Sequence, residues 1–181
     1  YNQLVDTGGF NGAFLGSFDC NNTLVLKGGQ NKTFKNGGHN VFNGTLFYRV
    51  YPSTTPSGSY NEVNLDFWFN DSNPGDQVWD NVGAGNPASI DLLSGLSPGT
   101  YTLEVFTRAQ VDTNNDNIID ADRFWSNFGN NFKANFEVLS DIIPPTITCA
   151  AAQTQTADSG QCFATVNVVA PSFGDNCTTA T

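Results

Sequence analysis

An all-β fold, an antiparallel two-sheet β-sandwich over residues 1–140, is what this sequence predicts, on three observations. Apolar and polar residues alternate at the period of two that sends every second side chain to one face of a strand. Gly, Pro and Asn clusters interrupt those runs at short intervals, the mark of chain reversal. No stretch of about ten residues carries the 3.6-residue apolar period of an amphipathic helix.

The elements follow in order. A short strand is predicted at 23–27, closed by Gly28 and Gly29. Residues 45–51 (Thr-Leu-Phe-Tyr-Arg-Val-Tyr) are apolar on both faces, as a central strand would be. In 62–70 the residues Val63, Leu65, Phe67 and Phe69 alternate with Glu62, Asn64, Asp66 and Trp68, which predicts one continuous strand. Shorter strands are expected at 77–80 and 88–93. In 101–108, Tyr101, Leu103, Val105 and Thr107 face opposite to Thr102, Glu104, Phe106 and Arg108. Phe132, Ala134, Phe136 and Val138 alternate with Lys133, Asn135 and Glu137. Turns are read at 36–38, 52–59, 73–75, 83–87 and 97–99, and the Pro98-Gly99 turn should deliver Tyr101 inward.

A joint follows at 140–145, where Ile142 and Ile143 precede Pro144 and Pro145. Tandem proline lacks the N–H groups a ladder needs and stiffens the path between domains. The expected organisation is a sandwich over 1–140, then a linker and a partial second module over 141–181.

With 39% hydrophobic and 13% aromatic residues the chain has material for a core, so global disorder is not expected. Seven Lys and Arg against 17 Asp and Glu give a net charge of −10, which offers no basic footprint for nucleic acid or anionic membrane surfaces. No run approaches the roughly 18 apolar residues of a spanning helix. Met is absent and no apolar leader opens the chain, which reads as a processed or trimmed N-terminus. Four Cys without metal-ligand spacing are disulfide candidates, Cys20, Cys149, Cys162 and Cys177, and imply an oxidising compartment. Three pairings are open. Cys20 stands alone in the first domain; its simpler reading is a buried thiol, and the sharper one a cross-link.

The strongest chemical constellation is Asp112, Asn114, Asp116, the Ile118 carbonyl, Asp120 and Asp122. Oxygen ligands at alternate positions suit Ca²⁺, which takes 6–8 oxygens at about 2.3–2.6 Å. The run resembles the Asp-x-Asn-x-Asp loops of EF-hand and thrombospondin type-3 modules, with Asn117 where those carry Gly and Arg123 where an EF-hand carries a bidentate acid. That resemblance implies a Ca²⁺-stiffened loop. The competing reading is a solvated Asn/Asp turn.

Enzymatic signals are thin. His39 is the only histidine and falls at a turn. Gly95, Ser97 and Gly99 match hydrolase-elbow spacing, but Pro98 lacks the N–H an oxyanion hole needs and a strand follows where a helix should. Glu62, Asp66 and Glu104 read as solvated strand charges rather than a glycosidase pair. Trp68, on the polar face of its strand, is the candidate for stacking on a sugar. Five Asn-x-Ser/Thr sequons occur, at Asn21, Asn31, Asn43, Asn70 and Asn176.

Two resemblances add to these readings. Pro144-Pro145-Thr146-Ile147-Thr148-Cys149, then Gly160-Gln161-Cys162, an expected alternating strand over 163–169 and Asp175-Asn176-Cys177 resemble the first half of a hyalin (HYR) repeat. That immunoglobulin-like sandwich occurs in arrays on extracellular adhesion proteins, which implies that the chain is a piece of a longer protein. Leu24-Val25-Leu26-Lys27-Gly28-Gly29, Thr33-Phe34-Lys35-Asn36 and Leu46-Phe47-Tyr48-Arg49-Val50-Tyr51 are similar to an uncharacterised domain of type IX-secreted Bacteroidetes surface proteins. The expected function is a non-enzymatic extracellular segment of an adhesin, stalk or surface filament, touching other copies, neighbouring repeats, a surface ligand or a glycan. The alternative is a carbohydrate-binding module of a secreted polysaccharide-degrading protein.

Overall fold

The computed structural model describes residues 2–3 (backbone only), 9–34, 39–71 and 76–177, and the statements below concern those residues. They are all-β, with fourteen strands and no helix. The chain divides into two compact units, Tyr1–Ser140 and Asp141–Thr181.

The strands of the first unit are β1 (Asn2–Gln3), β2 (Phe14–Phe18), β3 (Val25–Leu26), β4 (Gln30–Thr33), β5 (Asn40–Pro52), β6 (Asn61–Leu65), β7 (Phe67–Asn70), β8 (Gln77–Asp80), β9 (Ile90–Asp91), β10 (Gly99–Asp112), β11 (Ala121–Trp125) and β12 (Phe132–Val138). One sheet runs β2-β12-β10-β5-β6, with β11 beside β12 on the same edge of β10; the other runs β1-β4-β8-β7. β3 and β9 form a separate two-stranded ribbon. All pairings are antiparallel except β12 with β2, which is parallel. The turns expected at 36–38 and 73–75 lie outside the described residues.

β10 and β5 are the spine. They pair from Tyr101–Pro52 to Asp112–Asn40 with one irregularity after Gln110. The inward set of β10 (Tyr101, Leu103, Val105, Ala109) meets Leu46, Val63, Leu65, Phe132 and Phe136, and Trp79 closes the core from the opposing sheet. Tyr101 turns inward as expected, stacks on Phe136 with centroids 5.7 Å apart and donates its hydroxyl to the Ser97 carbonyl. Gly44 is required where the sheets approach. A Cβ there would lie 3.0 Å from Trp79 Cβ and 3.3 Å from Leu65 Cβ.

Two expected strands are corrected. The run 62–70 is broken at Asp66. β6 belongs to the long sheet with Val63 and Leu65 buried, while β7 belongs to the other sheet, where Phe67 and Phe69 are exposed. The alternation continues through the break because both halves are strands, but the sheet they belong to changes. In the second unit, β13 (Thr146–Thr148) pairs antiparallel with β14 (Ser172–Gly174), and the run 163–169 forms no strand. Its alternating pattern has no neighbouring strand to pair with, and a two-stranded hairpin cannot cover an apolar face. Phe163, Val168 and Phe173 accordingly stay exposed.

Candidate functional site

The outward face of the long sheet carries the most organised polar cluster. Register places Glu104 of β10 opposite Arg49 of β5. Arg49 grips the Glu104 carboxylate with Nε at 3.0 Å and Nη2 at 2.8 Å, both to Oε2. Tyr60 Oη and Asn131 Nδ2 donate to Oε1 at 2.9 and 2.7 Å. The guanidinium also lies over the Tyr51 and Tyr60 rings, 5.0 and 4.5 Å from their centroids. Glu104 is therefore 3% exposed, which corrects its reading as a solvated strand charge. Its partners arrive from residues 27, 44 and 55 positions away, a juxtaposition that alternation along one strand does not reveal.

The electrostatics follow from this packing. Burial alone would raise the Glu104 pKa, yet hydrogen bonds from Asn131, Arg49, Tyr51 and Tyr60 outweigh it and hold the carboxyl at about 2. Burial, and then the bond to that carboxylate, pushes Tyr51 up to about 12 and Tyr60 in the same direction. An ionised acid beside neutral phenols and a fixed guanidinium is saturated with partners. Its geometry suits clamping two strands rather than proton transfer.

The Asp/Asn run forms the β10–β11 connection. Asp112 is fully buried, and its carboxylate accepts the N–H groups of Asn114 (3.1 Å), Asn115 (2.6 Å) and Asn117 (2.8 Å). Burial opposes ionisation, but these backbone bonds prevail and lower its pKa. Asn115 and Asn117 hold φ of 63° and 66°, a region Asn tolerates better than most residues, so Asn117 serves where Gly was expected. Asn114 Oδ1 accepts Asp116 N–H, and Asp116 Oδ1 accepts Ile118 N–H. Asp120 instead caps Thr113, taking its N–H at 2.8 Å and its hydroxyl at 2.7 Å. Asp122 turns to Gln110 and Arg108. The six expected Ca²⁺ ligands are thus divided, and among the described residues no three acidic, His or Cys side chains converge on one point. In this arrangement the side chains of Asp112, Asn114, Asp116 and Asp120 are bonded to the loop's own N–H and hydroxyl groups.

The third feature is aromatic. β7 is the edge of its sheet and carries a bulge between Phe67 and Phe69, so that Trp68 sits out of register. Trp68 is 42% exposed, as its place on the polar face led us to expect, whereas Trp79 is buried and Trp125 half-buried. A Cβ on Gly83 would meet Trp68 Cδ2 at 2.5 Å, Cε3 at 2.6 Å and Cε2 at 2.7 Å. Cδ2 is a ring-fusion carbon with no free edge, so Gly83 approaches through the face of the indole. A side chain at position 83 would push the indole off this backbone.

The remaining candidates are dispersed. Cys20 and Cys177 are in the disulfide form, while Cys149 and Cys162 are exposed free thiols. Cys20 is itself exposed, which corrects the buried-thiol reading. His39 is half-buried just before β5, and Ser97 lies in the turn that leads into β10. Glu62 is exposed and Asp66 half-buried at the β6–β7 break. Of the sequons, Asn31 is fully buried with its Nδ2 directed at the Arg108 carbonyl, and no enzyme can reach it there. Among the described residues no helix is long and apolar enough to cross a membrane.

No protein-family model matches this chain, and no curated protein or solved structure matches it either.

Proposed function

We propose that this chain is a load-bearing segment of an extracellular surface protein, an adhesin, stalk or filament that works by display and contact. The observation that carries the reading is the parallel pairing of β2 with β12, the strands nearest the two ends of the first unit in its long sheet. When parallel neighbours are pulled from opposite ends, the load runs along the strands and reaches all the bridging hydrogen bonds together. An antiparallel hairpin pulled at its open end releases them singly.

The bridge is reinforced along its length. Gly12 N–H donates to the Lys133 carbonyl at 2.7 Å, Asn135 N–H to Ala13 at 2.8 Å and Leu139 N–H to Phe18 at 2.8 Å. The Asn11 side chain accepts Lys133 N–H at 3.0 Å, and Ser17 donates to Glu137 at 2.9 Å. Disulfide-form cysteines and a saturated Arg49–Glu104 clamp favour the same durable role outside the cell. Residues 144–181 enter this reading as the opening of a hyalin-like repeat, with neighbouring repeats or other copies as the partners.

Antibody labelling and protease shaving of intact producing cells test the assignment. Labelled cells and released peptides are the expected result; a protein protected until lysis overturns it. A second reading, a carbohydrate-binding module of a polysaccharide-degrading protein, is favoured by the seat that Gly83 provides for Trp68.

A further inference from the structure

We infer that Trp68, held on Gly83 beside Phe69 and two residues along the chain from the Asp66–Asn86 pair, is a stacking site for a pyranose ring of a neutral polysaccharide. This deepens the display reading by naming what the surface would contact. It depends on that reading for its biological role and not for its chemistry.

The argument starts with rigidity. An exposed tryptophan gains little from a ligand if it must first be ordered, because lost rotamer freedom cancels the contact. Here the backbone against which the ring rests is fixed. The 81–86 turn is pinned by Gly83 N–H to Asp80 Oδ1 (2.9 Å), Ala84 N–H to the Asp80 carbonyl (3.0 Å) and Asn86 N–H to the Asn81 carbonyl (2.8 Å). Asp80 N–H is in turn bonded to the Asp66 carbonyl at 2.8 Å, which ties the turn to the start of β7. One face of the indole rests on that fixed backbone, so the exposure Trp68 retains lies on what the seat leaves uncovered. Phe69, also part-exposed, stands at 80° with its centroid 4.6 Å away, making an aromatic corner.

The polar groups complete the complementarity. A pyranose presents a flat patch of C–H groups beside a rim of hydroxyls. The first suits an aromatic face, and the second suits planar side chains that accept and donate side by side. Asp66, two residues before Trp68, accepts the amide of Asn86, three residues after Gly83, at 3.1 Å in an exposed pair. That pair leaves further carboxylate and amide oxygens to receive hydroxyl protons. The net charge of −10 disfavours uronate and sulfated chains, which leaves neutral glycans as the class.

Native gels cast with a soluble β-glucan, a galactomannan or a xyloglucan, and control gels with alginate or polygalacturonate, test the site on the full chain. Retarded migration in at least one neutral gel is expected, with Trp68→Ala weakening retardation at least about tenfold while melting stays within a few degrees. Should Trp68→Ala fold poorly, Gly83→Ala (which keeps the indole but pushes it from its seat) and Asn86→Ala must each weaken retardation. Free migration in every neutral gel, undiminished retardation of folded Trp68→Ala, undiminished retardation of either fallback variant, or retardation by the anionic gels alone overturns the inference. Cell-surface labelling is read separately. Retardation with no labelling keeps the site and removes the display role, and labelling with no retardation does the reverse.

Discussion

Glu104→Gln is the sharpest perturbation of the sandwich, because the buried ion pair that joins β5 to β10 gives a signature in pH. Folding lowers the Glu104 pKa from its ordinary value of 4.5 to about 2. A carboxyl depressed on folding contributes stability that is complete above its unfolded pKa and is lost as pH falls through the folded value. Those two limits give about 3 kcal/mol at pH 6, between about 2 and 3 kcal/mol at pH 4 and about 1 kcal/mol at pH 3. Glutamine keeps the shape and one acceptor but carries no charge, so the variant lacks this pH-dependent part. Urea unfolding of both proteins at the three pH values measures the gap between them. A constant packing cost only offsets the curve, so narrowing by about 2 kcal/mol from pH 6 to pH 3 is the expected result. A gap that does not change with pH, or one below about 1 kcal/mol at pH 6, refutes the clamp.

Other outcomes follow from the same geometry. Gly44→Ala, which sets a methyl against Trp79 and Leu65, should cost about 1–3 kcal/mol by overpacking, read as a lower urea midpoint with unchanged slope. Iodoacetamide should label Cys149 and Cys162 in the native protein and reach Cys20 and Cys177 only after reduction, as peptide mass spectrometry would resolve. Asp112→Asn should lower the melting temperature at pH 7, and the loss should shrink as pH falls below the ordinary aspartate range, because the lowered pKa marks stability held by the anion. Because Asp120 and Asp122 hold other partners, millimolar Ca²⁺ or a chelator should move melting less than Asp112→Asn does; a larger rise with Ca²⁺ would show that those acids turn to the ion.

The strands legible in the sequence are those whose apolar residues alternate against a core. β10 and β12 fall where alternation placed them, β8 forms at 77–80 as expected, and β5 lies inside its sheet between β10 and β6. β4 was not legible: Gln30, Asn31, Lys32 and Thr33 have no apolar period, and the side chains it buries, Asn31 and Thr33, are polar. β2 is short and contains Gly16, and β11 exposes Phe124, so neither shows a clean stripe. The break at Asp66 is invisible to periodicity because both halves keep a period of two.

The sites divide in the same way. The spacing of Asp112, Asn114 and Asp116 announced a tight loop, but spacing does not say whether a carboxylate faces an ion or an N–H. Trp68 was identifiable from its place on the polar face, while its seat on Gly83 depends on a turn from another part of the chain. The Glu104 cluster was missed altogether. Alternation labels a face polar, and only register with Arg49 and the reach of Tyr60 and Asn131 bury it. An Arg and two Tyr within twelve residues on and after a central strand are the one sequence cue that pointed there.

Single-molecule pulling between a handle at Tyr1 and one at Ser140, with the cysteines kept reduced, puts the load-bearing claim to its most direct test. Beyond the two-pair contact of β1, the force falls on the parallel β2–β12 bridge. We expect one dominant rupture, at a force clearly above that needed to peel β6 from β5 with handles at their open ends, followed by release of roughly 400 Å of chain. Rupture at or below the force that peels β6 from β5, or gradual extension without a peak, would contradict the claim.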